Sequence, residues 1–278
     1  MIEVKNLSYM YNKNNIILKN INLQIKDGEI ISIVGKNGCG KSTFLKLIAG
    51  ILKPSSGNIF IDNIDIFKRK NLRKEVGIIF QNPDHQILFP KVFDDIEFAL
   101  KNLKIENREE RIKNSLKEVH LDNKEQKNTY NLSSGQKQRV NIASILAINP
   151  NYILLDEPTT MIDSKEKDTI YKIIQQLKKD KKTVIFVTNN INEILLSDKI
   201  LILDDKKIKH IIEKNKLLDN IQILENCDIR IPDIIQIILK LKENGKDVNI
   251  KEWTIQEMIN KIVKVCNSWK MYLNYYFL

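Results

Sequence analysis

The stretch EIISIVGKNGCGKSTFLKLIA, residues 29 to 49, constrains this chain more than any other. A short β-type run at 29 to 34 ends in a glycine-rich turn, and a helical pattern starts at about Lys41 and continues to Ala49. Gly35, Gly40, Lys41 and Ser42 stand at the spacing of a phosphate-binding loop, with the strand before it and the helix after it. The glycines let the backbone turn its N–H groups towards a phosphate without Cβ clashes, and the start of the following helix adds its dipole. That chemistry asks Lys41 to reach the β and γ phosphates of a nucleotide, and the Ser42 hydroxyl to ligate Mg²⁺.

Elsewhere the apolar pattern predicts strands at 2 to 9, 16 to 25, 58 to 61 and 75 to 80, and a mostly helical region from 92 to 148. Strand and helix then alternate: strand 152 to 156, helix 164 to 179, strand 183 to 188, helix 190 to 197, strand 199 to 203. This order predicts a parallel sheet with right-handed crossovers and a helical insertion in its middle. Beyond Asp219 the alternation lapses. A length of 278 residues suits one large domain, or one with a small appendage.

No apolar run approaches the roughly 18 to 20 residues needed to cross a bilayer. The opening MIEVKNLSYM carries Glu3 and lacks the apolar core of a secretory signal, so a soluble chain is expected. Cys39, Cys227 and Cys266 lie far apart without metal or disulfide spacing, as expected in a reducing cytoplasm. A net charge of +10 admits nucleic acid, anionic lipid or polyphosphate as partners. The Lys, Asn and Ile enrichment runs along the whole chain, however, and reads as a compositional bias rather than a binding face.

Two further stretches carry chemistry. YILLDEP, residues 152 to 158, is an apolar strand ending in two carboxylates, which a parallel sheet presents at the edge where the phosphate loop lies. Asp156 is expected to hold Mg²⁺ through its water shell, and Glu157 to polarise or position an attacking water. LSSGQKQRV, residues 132 to 140, places Ser-Ser-Gly ahead of a helix as an N-cap with exposed N–H groups, a second anion-binding end. The helical insertion carries that end away from the chain's own phosphate loop, so it is expected to serve another subunit.

At these residues the chain resembles the ATP-binding cassette (ABC) ATPases, with the loop at Gly35 to Ser42, LSSGQ at 132 to 136 and ILLDEP at 153 to 158 in the family's order. The resemblance covers residues 1 to about 220 and implies a P-loop NTPase cassette of α/β class. Such a cassette has a mostly parallel core sheet, an N-terminal antiparallel β subdomain and a helical subdomain, here at about 83 to 148. It also implies ATP and Mg²⁺ as ligands and a head-to-tail dimer. Each ATP then lies between one loop (Gly35, Lys36, Asn37, Gly38, Cys39, Gly40, Lys41, Ser42 and Thr43) and the signature residues Ser133, Ser134, Gly135 and Gln136 of its mate. Ser134 stands where the family commonly has glycine. By matching, Tyr11 takes the place of the aromatic residue that stacks on adenine, with Tyr9 near enough to leave the choice open. Gln81 matches the glutamine that touches Mg²⁺ and water and couples the site to a membrane partner. Asp163, after Ile162 where leucine is usual, matches the aspartate that crosses the dimer interface.

The stretch VIFVTNNINE, residues 184 to 193, departs from the family. Where a histidine usually hydrogen-bonds the γ-phosphate, this chain has Asn189. An amide donates a hydrogen bond but has no positive form, and losing one preorganised partner of a developing anion typically costs on the order of 10² in rate. The site built on this loop is therefore expected to bind ATP and to hydrolyse it slowly. His85 lies in a loop expected to face the membrane partner and does not replace it. Cys39 is either small loop filler or a thiol made acidic by Lys41 and the helix dipole.

FQNPDHQIL at 80 to 88 and VFDDIEFALKNL at 92 to 103 resemble the ATPases of energy-coupling factor importers, which take up vitamins and transition metal ions. Such importers join two ATPase subunits, a transmembrane scaffold and a substrate-binding membrane protein. The resemblance implies a peripheral position on the cytoplasmic face of the membrane, with the acidic helix 93 to 103 at the groove for the scaffold, or else an ordinary solvated helix face. Residues 221 to 278 resemble that subfamily's small C-terminal helical domain, whose Ile234, Ile235, Ile238, Leu239 and Leu241 suit packing on its own cassette or its twin. The aromatic tail WKMYLNYYFL has no matched role. Two other readings stand beside the importer motor: a soluble cassette protein acting on nucleic acid or ribosomes, and a partner subunit that completes another chain's site through Ser133 and Gly135.

Overall fold

The computed structural model describes residues 1–12, 15–246, 248, 250, 253 and 256–265; Cys266 and the aromatic tail lie outside them. The chain opens with the hairpin β1 (Ile2–Asn12) and β2 (Asn15–Ile25), then β3 (Ile30–Val34) and α1 (Lys41–Ile48). β4 (Ser56–Ile61), β5 (Ile64–Asp65), α2 (Leu72–Glu75) and β6 (Val76–Ile79) follow. The helical insertion comprises α3 (Val92–Asn102), α4 (Arg108–Glu118) and α5 (Ser134–Ile148). Then come β7 (Tyr152–Asp156), α6 (Ser164–Lys179), β8 (Thr183–Val187), α7 (Ile191–Ile194), β9 (Lys199–Asp204) and β10 (Lys207–Glu213). α8 (Ile221–Glu225) and α9 (Asp233–Glu243) lead to a further helical stretch at 256–265.

Two sheets result among the described residues. One is antiparallel, in the order β2-β1-β4-β5; the other runs β10-β9-β3-β8-β7-β6 and is parallel except for β10. The parallel strands are mostly apolar because both faces are covered, as such sheets require. Alternate residues divide between the faces. Ile31, Ile33, Leu154, Ile185 and Val187 pack with α1 and the antiparallel sheet. Ile30, Ile153, Leu155, Val184 and Phe186 pack under the inserted helices and α6.

The strand that the sequence pattern did not suggest is β10. It returns from β9 through a two-residue turn, with Lys207 opposite Asp204 and with Asp205 and Lys206 both at positive φ, 43° and 67°. Such a turn usually announces itself by Asn-Gly or Asp-Gly. Here Asp-Lys does the same work without the signal.

The described residues beyond 220 pack on the cassette. Leu217, Ile221, Leu224, Cys227, Ile235 and Ile238 share one cluster with Val34, Ile191, Ile194, Ile200 and Ile202, so α8 and α9 close over the β9 side of the sheet. This amphipathic segment thus packs on its own cassette. Among the described residues no helix is long and apolar enough to cross a membrane.

Because that cluster spans both parts, Leu224→Ala should cost about 2–5 kcal/mol and the whole chain should unfold in urea as one transition. Two separated transitions, with only the later one unmoved by the substitution, would show that the C-terminal helices form an independent unit.

Candidate functional site

β8 lies between β3 and β7, in register with both: Ile33 pairs with Val187, and Asp156 pairs with Val187 from the other side. The three parallel strands therefore end together. The loop after β3, the carboxylates at the end of β7 and the Thr188-Asn189 turn after β8 meet at one edge, the place where open α/β sheets hold ligands.

The loop itself needs its glycines. A Cβ on Gly35 would lie 2.2 Å from the Leu203 backbone oxygen, and one on Gly40 would come within 3.0 Å of the Ile17 and Leu18 side chains. Gly38, by contrast, faces open space and is required for its φ of 78°. Lys41, 5% exposed, folds back over the loop and donates to Gly35 O (2.6 Å) and Lys36 O (3.1 Å). A phosphate offers that ammonium a charged acceptor in place of neutral carbonyls. Thr43, next on the helix, lies 3.3 Å from the Tyr11 hydroxyl. Tyr9 is in the core at 8% exposure and meets Tyr11 edge-on at 5.0 Å, whereas Tyr11 is 51% exposed and presents a free ring face beside the loop. Burial raises the Cys39 thiol pKa, outweighing the opposing pull of Lys41. The acidic-thiol reading of Cys39 is therefore corrected to that of a filler packed against Gly35.

Ser42 Oγ donates to Asp156 Oδ1 at 2.8 Å, and Asp156 is 6% exposed. Burial, with a lesser push from Glu157, raises the Asp156 pKa above the ordinary carboxylate range, against the Ser42 hydrogen bond. Such a carboxylate gains from a cation. The donor set is a hydroxyl, a carboxylate and the Gln81 amide, all oxygen donors, which suits Mg²⁺ completed by phosphate and water rather than a closed protein cage. Consistent with that, no cluster of three or more His, Cys, Asp or Glu side chains is arranged for a metal among the described residues.

Glu157 takes a left-handed backbone (φ 47°), its N–H donating to Val187 O at 3.0 Å. This conformation costs roughly 1–2 kcal/mol for a non-glycine residue. It turns the carboxylate out of the strand direction, where Gln81 Nε2 (2.8 Å) and Thr160 Oγ1 (3.1 Å) donate to its Oε2. Asn189, at the end of β8, faces the phosphate loop. With its NH₂ turned inward it donates to Thr188 O (3.0 Å) and Gly35 O (3.1 Å); in the opposite sense it meets Asn37 Oδ1 at 3.4 Å. Asn190, its neighbour, instead caps α7 and binds the Tyr171 hydroxyl at 3.0 Å.

The signature stretch stands apart from this group. Ser133 and Gln136 form a reciprocal capping box at the start of α5, and Ser134 is exposed. Gly135 is required by close packing, since a Cβ there would lie 2.7 Å from Glu166 Cγ. Asp163 caps α6, accepting from Glu166 N at 3.0 Å. α5 is tied to the β7 loop by Gln138 Nε2 donating to Pro158 O (3.2 Å), and to α6 by Arg139 Nη2 donating to Glu166 Oε1 (3.1 Å). His85 hydrogen-bonds Asn82 at 3.2 Å.

Sequence reasoning missed Glu193, 1% exposed, which accepts from Thr159 of the loop after Glu157 and also bonds Thr188. One buried carboxyl thus joins the ends of β7 and β8. Nothing in a lone glutamate on a short helix announces such a role. It also missed Asp95, 8% exposed, whose Oδ1 accepts from Leu88 N (2.7 Å) and Phe89 N (3.1 Å). The acidic helix face is therefore not wholly solvated.

Residues 18–160 match the family model described as ABC transporter. The chain is 38% identical over 270 residues, 95% of its length and 98% of the relative's, to "Energy-coupling factor transporter ATP-binding protein EcfA1" of Oenococcus oeni. Among solved structures it superposes on cbiO1 from Clostridium perfringens, part of the ABC transporter complex cbiONQ, with a TM-score of 0.73 and 33% identity, covering 85% of this chain and 98% of that one. It also superposes on a dimeric post-hydrolysis state of the cassette MJ0796 bound to ADP and Pi, with a TM-score of 0.70 and 34% identity over 77% and 99%.

Burial raises the Glu193 pKa above 4.5 against the Thr159 and Thr188 hydrogen bonds, so the folded state holds this proton more tightly than the unfolded chain. The stability that protonation contributes is present at acid pH and is lost as pH climbs through the raised value. Thermal unfolding of Glu193→Gln should therefore lack this decline above pH 4.5 and fall no lower than the parent at neutral pH; an unchanged pH profile would show that the carboxyl titrates as in the unfolded chain.

Proposed function

The chain belongs to the ABC transporter family of ATP-hydrolysing motor proteins, and within it we propose that this one drives an energy-coupling factor importer of a vitamin or transition metal ion. Two cassettes, this chain with a like or unlike partner, would close on ATP and move a transmembrane scaffold bearing a substrate-binding membrane subunit. The observation that carries the reading is the meeting of Lys41, Ser42, Asp156, Glu157, Gln81 and Asn189 at one sheet edge, in a chain whose full-length relatives bear that importer's name.

Each residue then has a task. Lys41 and the loop N–H groups hold the β and γ phosphates, Ser42 and Asp156 hold Mg²⁺, and Tyr11 stacks on adenine. Glu157, aimed by Gln81 and Thr160, positions the attacking water. The capping box that fixes Ser133 and the exposed start of α5 leave an anion-binding end for the nucleotide of the other cassette, with Asp163 at the same interface. Gln81 also begins the segment that carries the coupling: Leu88 is 66% exposed and Phe98 39% exposed, with Phe89 and Phe98 rings 5.0 Å apart, an apolar face suited to a helix of the scaffold. Such a protein would sit at the cytoplasmic face of the membrane.

Asn189 favours one variation on this role, a site that binds ATP well and turns it over slowly while completing a stronger site on the partner. Purified with its second cassette and membrane subunits, the chain should lose turnover at its own site on Glu157→Gln and gain up to about 10² in rate on Asn189→His. Unchanged turnover in the histidine variant would remove the impaired-site reading. Recovery of the chain with nucleic acid and without any membrane protein would remove the importer.

A further inference from the structure

A cavity of about 410 Å³ opens beside Asn189; Asn189, Asn190 and Ile191 form one wall, and Arg230, Pro232 and Asp233 the other. The first wall is the end of β8. The second is the extended link between α8 and α9, which the cassette motifs do not include.

That link is held firmly and with a definite sense. Cys227, Ile229 and Ile231 are buried in the cluster that contains Val34, Ile191 and Ile194. Between the buried Ile229 and Ile231 the chain turns Arg230 outward, and it is exposed. Among the described residues Arg230 makes no hydrogen bond or ion pair. Asp233, on the same cavity, opens the first turn of α9, where the helix N-terminus stabilises its charge. Asn189 lines this cavity and also reaches Gly35 O of the phosphate loop at 3.1 Å, so one residue connects link and loop.

Resting on the reading of this edge as an ATP site, we propose that Arg230 is its missing cation: it reaches across the cavity to the γ-phosphate, which Asn189 meets only with a neutral amide. A guanidinium is charged at every physiological pH and presents paired donors that match phosphate oxygens. An arginine on the C-terminal segment can do this where a histidine after β8 is absent, and the link between α8 and α9 then becomes part of the nucleotide site. It also distinguishes nucleotides, because ADP has no γ-phosphate for Arg230 to hold.

The test is equilibrium binding of MgATP and MgADP to the full chain carrying Glu157→Gln, so that ATP is not consumed. Arg230→Ala should weaken ATP about tenfold, the size of one charge-assisted hydrogen bond, and leave ADP unchanged. Arg230→Lys should retain most of the ATP affinity. In an Asn189→His background the same Arg230→Ala change should cost less than about twofold, because the two groups share one phosphate and their effects are not additive. Equal loss for ATP and ADP, no loss for either, or an undiminished tenfold loss in the Asn189→His background overturns the assignment of Arg230 and leaves the ATPase reading standing. Failure of the parent chain to bind either nucleotide overturns both.

Discussion

Everything at this edge depends on the parallel pairing of β8 with β3 on one side and β7 on the other. Hydrogen bonding between neighbouring strands fixes how far each extends, so three loops distant in sequence must start from the same level. A slip of one residue would turn every side chain of the slipped strand to the opposite face. The core protects against that, because alternate residues of these strands belong to two different hydrophobic clusters. Accurate placement of the chemistry thus follows from apolar packing on both faces of the sheet.

On that frame the charged groups are arranged to be incomplete. Lys41 is satisfied by carbonyls, Asp156 is buried with the Ser42 hydroxyl against it, and the Glu157 carboxylate, on a left-handed backbone, accepts from two donors. Desolvation disfavours an isolated carboxylate and favours one facing a metal ion. The site therefore stores a mismatch that a magnesium nucleotide, as proposed for this edge, would relieve. Glu193 is the opposite case: it is buried, paired with two threonines, and ties the β7 and β8 ends into one rigid element.

The legible part of this molecule was what its local chemistry punctuates. Glycine turns, buried apolar runs and the Ser-Ser-Gly cap each occupy a few consecutive residues, so strand 152 to 156 and helix 164 to 179 were readable to their ends. What was not legible depends on partners far along the chain. β10 hides behind an Asp-Lys turn, Asp95 looks like a solvated acid until its two backbone donors are seen, and Glu193 has its meaning only through Thr159 and Thr188. The choice between Tyr9 and Tyr11 likewise needed burial, which neighbouring residues of one strand do not disclose. In the C-terminal segment periodicity picked out apolar positions such as Ile235 and Ile238 but left open whether they cover their own cassette or a twin.

The added strand β10 has a further effect, on how copies of this protein meet. A parallel sheet that ended at β9 would present a row of open backbone groups to any passing strand. β10 covers that row and turns Lys207, Lys209, His210 and Glu213 to solvent around the exposed Ile211, so the new rim is largely charged. Uncontrolled growth of the sheet by lateral stacking is thereby discouraged.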